Sequence, residues 1–149
     1  MAEQKKENNE QEKQKDQKKL QDKYIEYQML EQMMNHLQEQ MQAIEQQMAE
    51  LLNVKQSLKD LEGSKKGSEI LVPIANGIFV KGELKDTEKL VVNVGSNVTV
   101  RRSVEETQKM LEKQFENMKE LQANAMKELQ KYSLKAQDLQ EELAKLLQE

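Results

Sequence analysis

The chain has 149 residues, of which 34% are charged and 36% hydrophobic, with no Trp, no Cys and a net charge of −4. That inventory is too poor in apolar and aromatic volume for a large closed core built from this chain alone. It also excludes disulfides and thiolate metal ligands, which fits a reducing cytosol.

Residues 1–19 alternate Lys, Glu, Gln and Asn without an apolar run. Nothing there offsets the entropy of ordering, so a disordered polar arm is expected, and neither a signal peptide nor a membrane segment is legible. No later stretch reaches spanning length either. A soluble, cytoplasmic protein follows as the default, with no glycan on the sequon Asn97-Val98-Thr99.

From 20 to 62 a heptad repeat takes over. One ladder is Leu20, Tyr27, Met34, Met41 and Met48, and the other is Leu30, Leu37, Ile44, Leu51 and Leu58. A seven-residue apolar repeat keeps one seam of a helix turned toward a partner helix. This first helix is expected to stop at Gly63, a residue type suited to the left-handed turn that ends many helices, and Ser64 to Ser68 reads as a linker.

The period then changes from seven to two. Ile70, Val72 and Ile74 alternate with Leu71, Pro73 and Ala75. Asn76-Gly77 signals a type I′ hairpin with positive φ at both central positions, and Ile78 to Leu84 returns as the second strand. Pro73 cannot donate to a ladder, so its strand is expected to be an edge or bulged. After the polar turn Lys85 to Lys89, Leu90 to Val94 and Val98 to Val100 form a second hairpin around Gly95-Ser96-Asn97. Four short strands in two open hairpins, covering 69–102, satisfy neither their own edges nor their own faces. Ile70, Val72, Ile74, Ile78, Val80, Leu90, Val92, Val94, Val98 and Val100 are therefore expected to be oligomer-interface residues of a base closed by strands of other subunits, in a β-barrel.

Ser103 with Glu106 forms a capping-box pattern that opens a second helix over 103–148. Its ladders are Val104, Leu111, Met118, Ala125, Tyr132, Leu139 and Leu146, and Phe115, Leu129, Ala136 and Leu143 with the polar members Gln108 and Gln122. The two helices match in length. Folded back on each other, they place Leu20 opposite Leu146 and Leu58 opposite Leu111 or Gln108. The fold class is α+β: a long antiparallel two-helix coiled-coil hairpin with a central four-strand β segment.

At this β segment the sequence resembles a known family. Leu71-Val72-Pro73, Lys81-Gly82-Glu83, the Asp86-Thr87 turn and the Val94-Gly95 turn fall in the order seen in the alpha class of prefoldin subunits. Two hairpins rather than one separate that class from the beta class. The specific match covers roughly 69–103 and the architectural one about 20–147. Asn76 stands where the family often has a small residue or Gly, and Asn97 where Gly is common; both tolerate positive φ. The resemblance implies a hexamer of two alpha and four beta-class subunits with a double β-barrel base and six coiled-coil arms. It further implies an ATP-independent chaperone whose arm tips capture non-native polypeptide clients and deliver them to a group II chaperonin.

Apolar residues off the seam are where such binding would show. Tyr24, Ile25, Met29 and Met33 lie near the start of the first helix, and Leu134 and Leu147 near the end of the second, with Met126 further up. Fraying of the free ends would add Leu20, Tyr27, Leu139, Leu143 and Leu146 to the client-binding set. Met suits a surface that must accept many shapes, whereas Met34, Met41 and Met48 belong to seam packing.

The remaining chemistry is sparse. His36 is off the seam without ligand partners, no Gly-rich loop precedes a helix, and the carboxylates lie on solvated helix faces. No catalytic, cofactor or metal site is expected, so an enzyme is not. Residues 63–103 carry seven Lys and Arg against four acids, while the flanking helices are acidic and no aromatic interleaving supports nucleic-acid binding. The rival reading is a coiled-coil spacer, scaffold or filament subunit. The midpoint hairpins argue against it, since a spacer has no use for them.

Overall fold

The computed structural model describes residues 2–147, with side chains from 14 to 147. The element order is α1 (Ala2–Glu62), β1 (Glu69–Ala75), β2 (Ile78–Glu83), β3 (Lys89–Asn93), β4 (Thr99–Ser103) and α2 (Val104–Leu146). The chain divides into a terminal unit, Met1–Ile44 with Leu121–Glu149, and a middle unit, Glu45–Glu120.

α1 does not wait for the apolar repeat. Residues 14–19, expected in a disordered arm, are exposed helix. Lys, Gln and Asp are tolerated in helices, and no Gly or Pro interrupts the chain before Gly63. The part of the expected arm at 1–13 has its side chains outside the described residues.

In the terminal unit the helices run antiparallel. Lys23 pairs with Glu142, and the Lys135 Nζ lies 2.7 Å from Glu26 Oε1. Leu30, Ala136 and Leu139 form the buried centre, with Tyr27, Met34 and Tyr132 packed against it. Leu20 and Leu146 line one cleft, as the expected register requires. In the middle unit Lys55 reaches Glu112 at 3.5 Å, and Leu58, Val104 and Leu111 are buried. Every ladder residue of both helices is buried or half-buried, including Gln108 and Gln122. The seven-residue period thus identified the packed face of each helix.

α1 ends at Glu62, but not through a left-handed Gly63: the first positive φ comes at Gly67, 91°. Gly63 N–H instead donates to the Lys59 carbonyl at 3.2 Å, and the Ser64 hydroxyl donates to that of Asp60 at 2.9 Å. The linker is also more ordered than its composition suggests. Gly67 N–H donates to Leu84 O (2.7 Å) and Leu84 N–H to Ser68 O (2.9 Å), which prolongs the first hairpin by one rung.

β1 and β2 are antiparallel, with Val72 opposite Val80 and Pro73 opposite Phe79, and a register shift between Pro73 and Ala75. That is the bulge expected around Pro73. The turn differs from the type I′ expectation, because Gly77 takes φ 78° while Asn76 does not take positive φ. The bulge supplies part of the reversal, so one left-handed residue suffices. β3 and β4 pair separately, Leu90 opposite Arg102 and Val92 opposite Val100, around Gly95, Ser96 and Asn97, all at positive φ. The hairpins are two two-stranded sheets with no ladder between them. A lone hairpin is marginal in water, so these depend on covers from outside the chain.

Ser103 and Glu106 start α2 as their spacing dictates. Glu106 N–H donates to Ser103 Oγ and Ser103 N–H to Glu106 Oε2, each at 3.0 Å. The buried Thr107 hydroxyl donates to the Ser103 carbonyl at 2.8 Å, tying the strand end to the first helical turn.

Candidate functional site

Two sets of exposed apolar side chains stand out, one on each unit. On the terminal unit they are the residues that fall off the heptad ladders. Tyr24, Ile25, Met29 and Met33 are exposed on α1, Met126 and Leu134 on α2, and Leu147 just beyond its end. The reason is rotational. A side chain more than about a quarter turn from the seam cannot reach the partner helix, so it points to water.

The ladder residues expected to join them on fraying divide. Leu20 and Leu143 line a cleft of about 460 Å³ with Gln17, Gln21, Tyr24 and Leu147, an apolar concavity where the helix ends meet. Leu146 lines the neighbouring cleft with Asp16, Gln17 and Leu20. Leu139 is buried, and Tyr27 is packed against its cluster, so both serve the seam in this structure. Tyr27 also hydrogen-bonds the Glu31 carboxylate, which raises its phenol above its ordinary value. Glu26 is held below the usual carboxylate range by its hydrogen bond to Lys135 and by that residue's charge.

On the middle unit the exposed set is the sheet surface. Val72, Ile74, Ile78, Val80, Val94 and Val98 are exposed, and Ile70, Leu90, Val92 and Val100 half-buried. All ten expected interface residues therefore present apolar surface that the chain itself leaves at least partly open. Leu71, Phe79 and Val91 are exposed too, the last at 71%, and they lie on the opposite sheet faces. The expected interface omitted them, although Ile70 to Ile74 is a continuous apolar run, the pattern of a strand covered on both sides. Leu52, Val54 and Leu121 were likewise passed over, and all are exposed. Their places off the ladder would have revealed them. Val54 lines a groove of about 430 Å³ in the middle unit with Leu51 and Met118.

Charge chemistry is confined to surface pairs and turns. Asp86 accepts from the backbone N–H of Glu88 at 2.8 Å and of Lys89 at 3.3 Å, and these bonds hold its carboxyl below the ordinary value. His36 is exposed and faces Gln40 at 3.1 Å. Among the described residues no group of three or more His, Asp or Glu is placed to hold a metal ion, and no helix is long and apolar enough to cross a membrane.

Comparison with known proteins agrees with this arrangement. The family model described as prefoldin subunit matches residues 30–149. The prefoldin subunit alpha of Thermofilum pendens is 34% identical over 93 residues, covering 62% of this chain and 72% of that protein. The prefoldin subunit alpha of Methanosphaera stadtmanae is 34% identical over 97 residues, covering 65% and 69%. That of Methanococcus aeolicus is 26% identical over 129 residues, covering 87% and 88%. Among solved structures, filamentous PFD from Methanocaldococcus jannaschii shares the fold with a TM-score of 0.70 at 21% identity, over 76% of this chain and 93% of that one. Two long helices flanking two hairpins, with these relatives, establish that the chain belongs to the prefoldin family, among its alpha-type subunits.

Proposed function

We propose that this chain is the alpha-class subunit of an ATP-independent chaperone that captures non-native polypeptide and hands it to a cytosolic group II chaperonin. The prefoldin family has a chaperone-type role and is not a family of enzymes. The capture surface is assigned to the helix ends of the terminal unit. One observation carries that assignment: Tyr24, Ile25, Met29, Leu134 and Leu147 are exposed, and Tyr24 and Leu147 line an apolar cleft with Leu20 and Leu143. Each such side chain stabilises a client contact by roughly 1.5–3 kcal/mol when fully covered. That is too little for one tight site, but several arms acting together multiply it through effective concentration.

Assembly is assigned to the strand faces, covered by beta-class partners in an assembly of two alpha and four beta subunits. The support is physical: two isolated hairpins expose nine large apolar side chains, a load no free monomer carries without cost. The decisive experiment trims both helices together, to about residues 30–137, in the complete assembly. Assembly should survive, by size and helicity, while suppression of client aggregation is lost. Undiminished protection by the trimmed, intact assembly would refute the placement of the capture surface.

A further inference from the structure

The face of the second hairpin that carries Leu90, Val92, Val94, Val98 and Val100 also carries one cation. Antiparallel pairing sets Arg102 directly opposite Leu90, and opposite residues share a face. Arg102 is half-buried already, and among the described residues it makes no ion pair. It lines a notch of about 340 Å³ with Lys89, Arg101, Ser103, Glu88 and Glu106. Neither acid serves it: no ion pair within 4.0 Å links Glu88 or Glu106 to Arg102, and Glu106 is engaged by Ser103 N–H.

The first hairpin is built differently. Lys81, its one strand cation, reaches Glu69 at 3.1 Å, and the pairing Glu69 opposite Glu83 and Leu71 opposite Lys81 puts these charges on the face away from Val72 and Val80. One hairpin therefore pairs its cation internally, whereas the other presents an uncompensated guanidinium at the edge of the surface it must bury. A desolvated charge is tolerated only when paired, and a guanidinium fork matches a carboxylate.

We infer that Arg102 seats an ion pair across the subunit interface, with an Asp or Glu on the strand of a beta-class partner that covers this face. A second copy of this chain cannot supply that acid from its matching strand surfaces. The Val72–Val80 face and the Val92–Val100 face carry no carboxylate, and the strand acids Glu69 and Glu83 both lie on the opposite face of the first hairpin. The same requirement makes Arg102 a determinant of partner choice, since a like-charged or aliphatic strand would leave it unpaired. This rests on the assembly reading above.

The test uses the full chain assembled with a beta-class prefoldin subunit, one of the two isotopically labelled. In the Arg102→Lys variant, carbodiimide coupling should yield a zero-length cross-link from position 102 to an Asp or Glu of the differently labelled subunit. Arg102→Gln should weaken co-assembly at least about tenfold and reduce its salt dependence. A cross-link from position 102 only to Glu88 or Glu106 of its own chain, or only to a second copy, overturns the inference. So does co-assembly of Arg102→Gln as tight as that of the unaltered chain. If the unaltered chain itself fails to co-assemble, the assembly reading falls and the inference with it, an outcome distinct from the others.

Discussion

Leu139 and Leu134 are the same residue type on the same helix, five positions and therefore about 140° apart around its axis. Leu139 is 6% exposed within the cluster of Leu30 and Ala136, and Leu134 is 58% exposed. Truncating Leu139 to Ala removes buried methyl groups and leaves a cavity, a change that costs about 2–5 kcal/mol in closed cores. A two-helix seam is open along both flanks and relaxes more readily, so the lower part of that range, about 2–3 kcal/mol, is expected. For a chain of this length that lowers Tm by about 4–12 °C. Leu134→Ala removes the same atoms from water-exposed surface and should alter stability by no more than about 0.5 kcal/mol. Function should divide the other way, with Leu134→Ala weakening client protection at temperatures where both variants are folded. The measurements are thermal unfolding by circular dichroism at fixed subunit and partner concentrations, since assembly makes Tm depend on concentration, and light scattering of a denatured client. Equal losses of Tm in the two variants would refute the division of α2 into a packed face and a capture face.

Replacing Val92 or Val100 with Asp should abolish assembly while leaving most helicity, because an unpaired charge on a buried face costs several kcal/mol; sedimentation velocity reads this directly. Deleting residues 2–18 should leave assembly and Tm within a few degrees of the full chain, since residues 14–18 are exposed. Ser103→Ala removes the bond to Glu106 N–H and should cost about 1 kcal/mol, seen as earlier melting of α2 by amide exchange. The carboxyls of Glu26 and Asp86 are lowered in the folded chain, so their contributions are complete above the ordinary carboxylate range and fade as pH falls through the lowered values. Acid titration followed by NMR should find both midpoints below those of unfolded-state peptides, and Lys135→Gln should raise that of Glu26 alone.

Much of this architecture was legible because its determinants are local and periodic. Every ladder position of both helices is buried or half-buried, since rotation about a helix follows from spacing alone, although the ladders passed over buried Thr107. The capping box and the bulge at Pro73 were legible for the same reason: each depends on residues a few positions apart. What the sequence misrepresented was conformation set by context. Gly63 ends α1 without positive φ, because backbone and hydroxyl donors already satisfy the last carbonyls. Asn76 is spared positive φ by a bulge two residues away. Residues 14–19 are helical because helix propagation from an established seam costs little, although composition alone describes them as coil. The second apolar faces, at Leu71, Phe79 and Val91, escaped a reading that looked for alternation, whereas a strand covered on both sides does not alternate.

Among the described residues nineteen large apolar side chains remain exposed, and those of the strands differ from the others in a way that bears on what covers them. Of the nine on or beside the strands, seven are Val or Ile; of the ten on or beside the helices, only Ile25 and Val54 are β-branched. Strand propensity accounts for the branching. It does not account for the exposure, since β-branched residues in a finished sheet are normally covered. Stiff side chains lose little entropy against one fixed surface and adapt poorly to several. Met29, Met33 and Met126, with Leu134 and Leu147, have the opposite character: they are flexible and able to repack against differing shapes. A permanent partner therefore suits the strands and a changing one suits the helix ends, the division on which the proposed function rests.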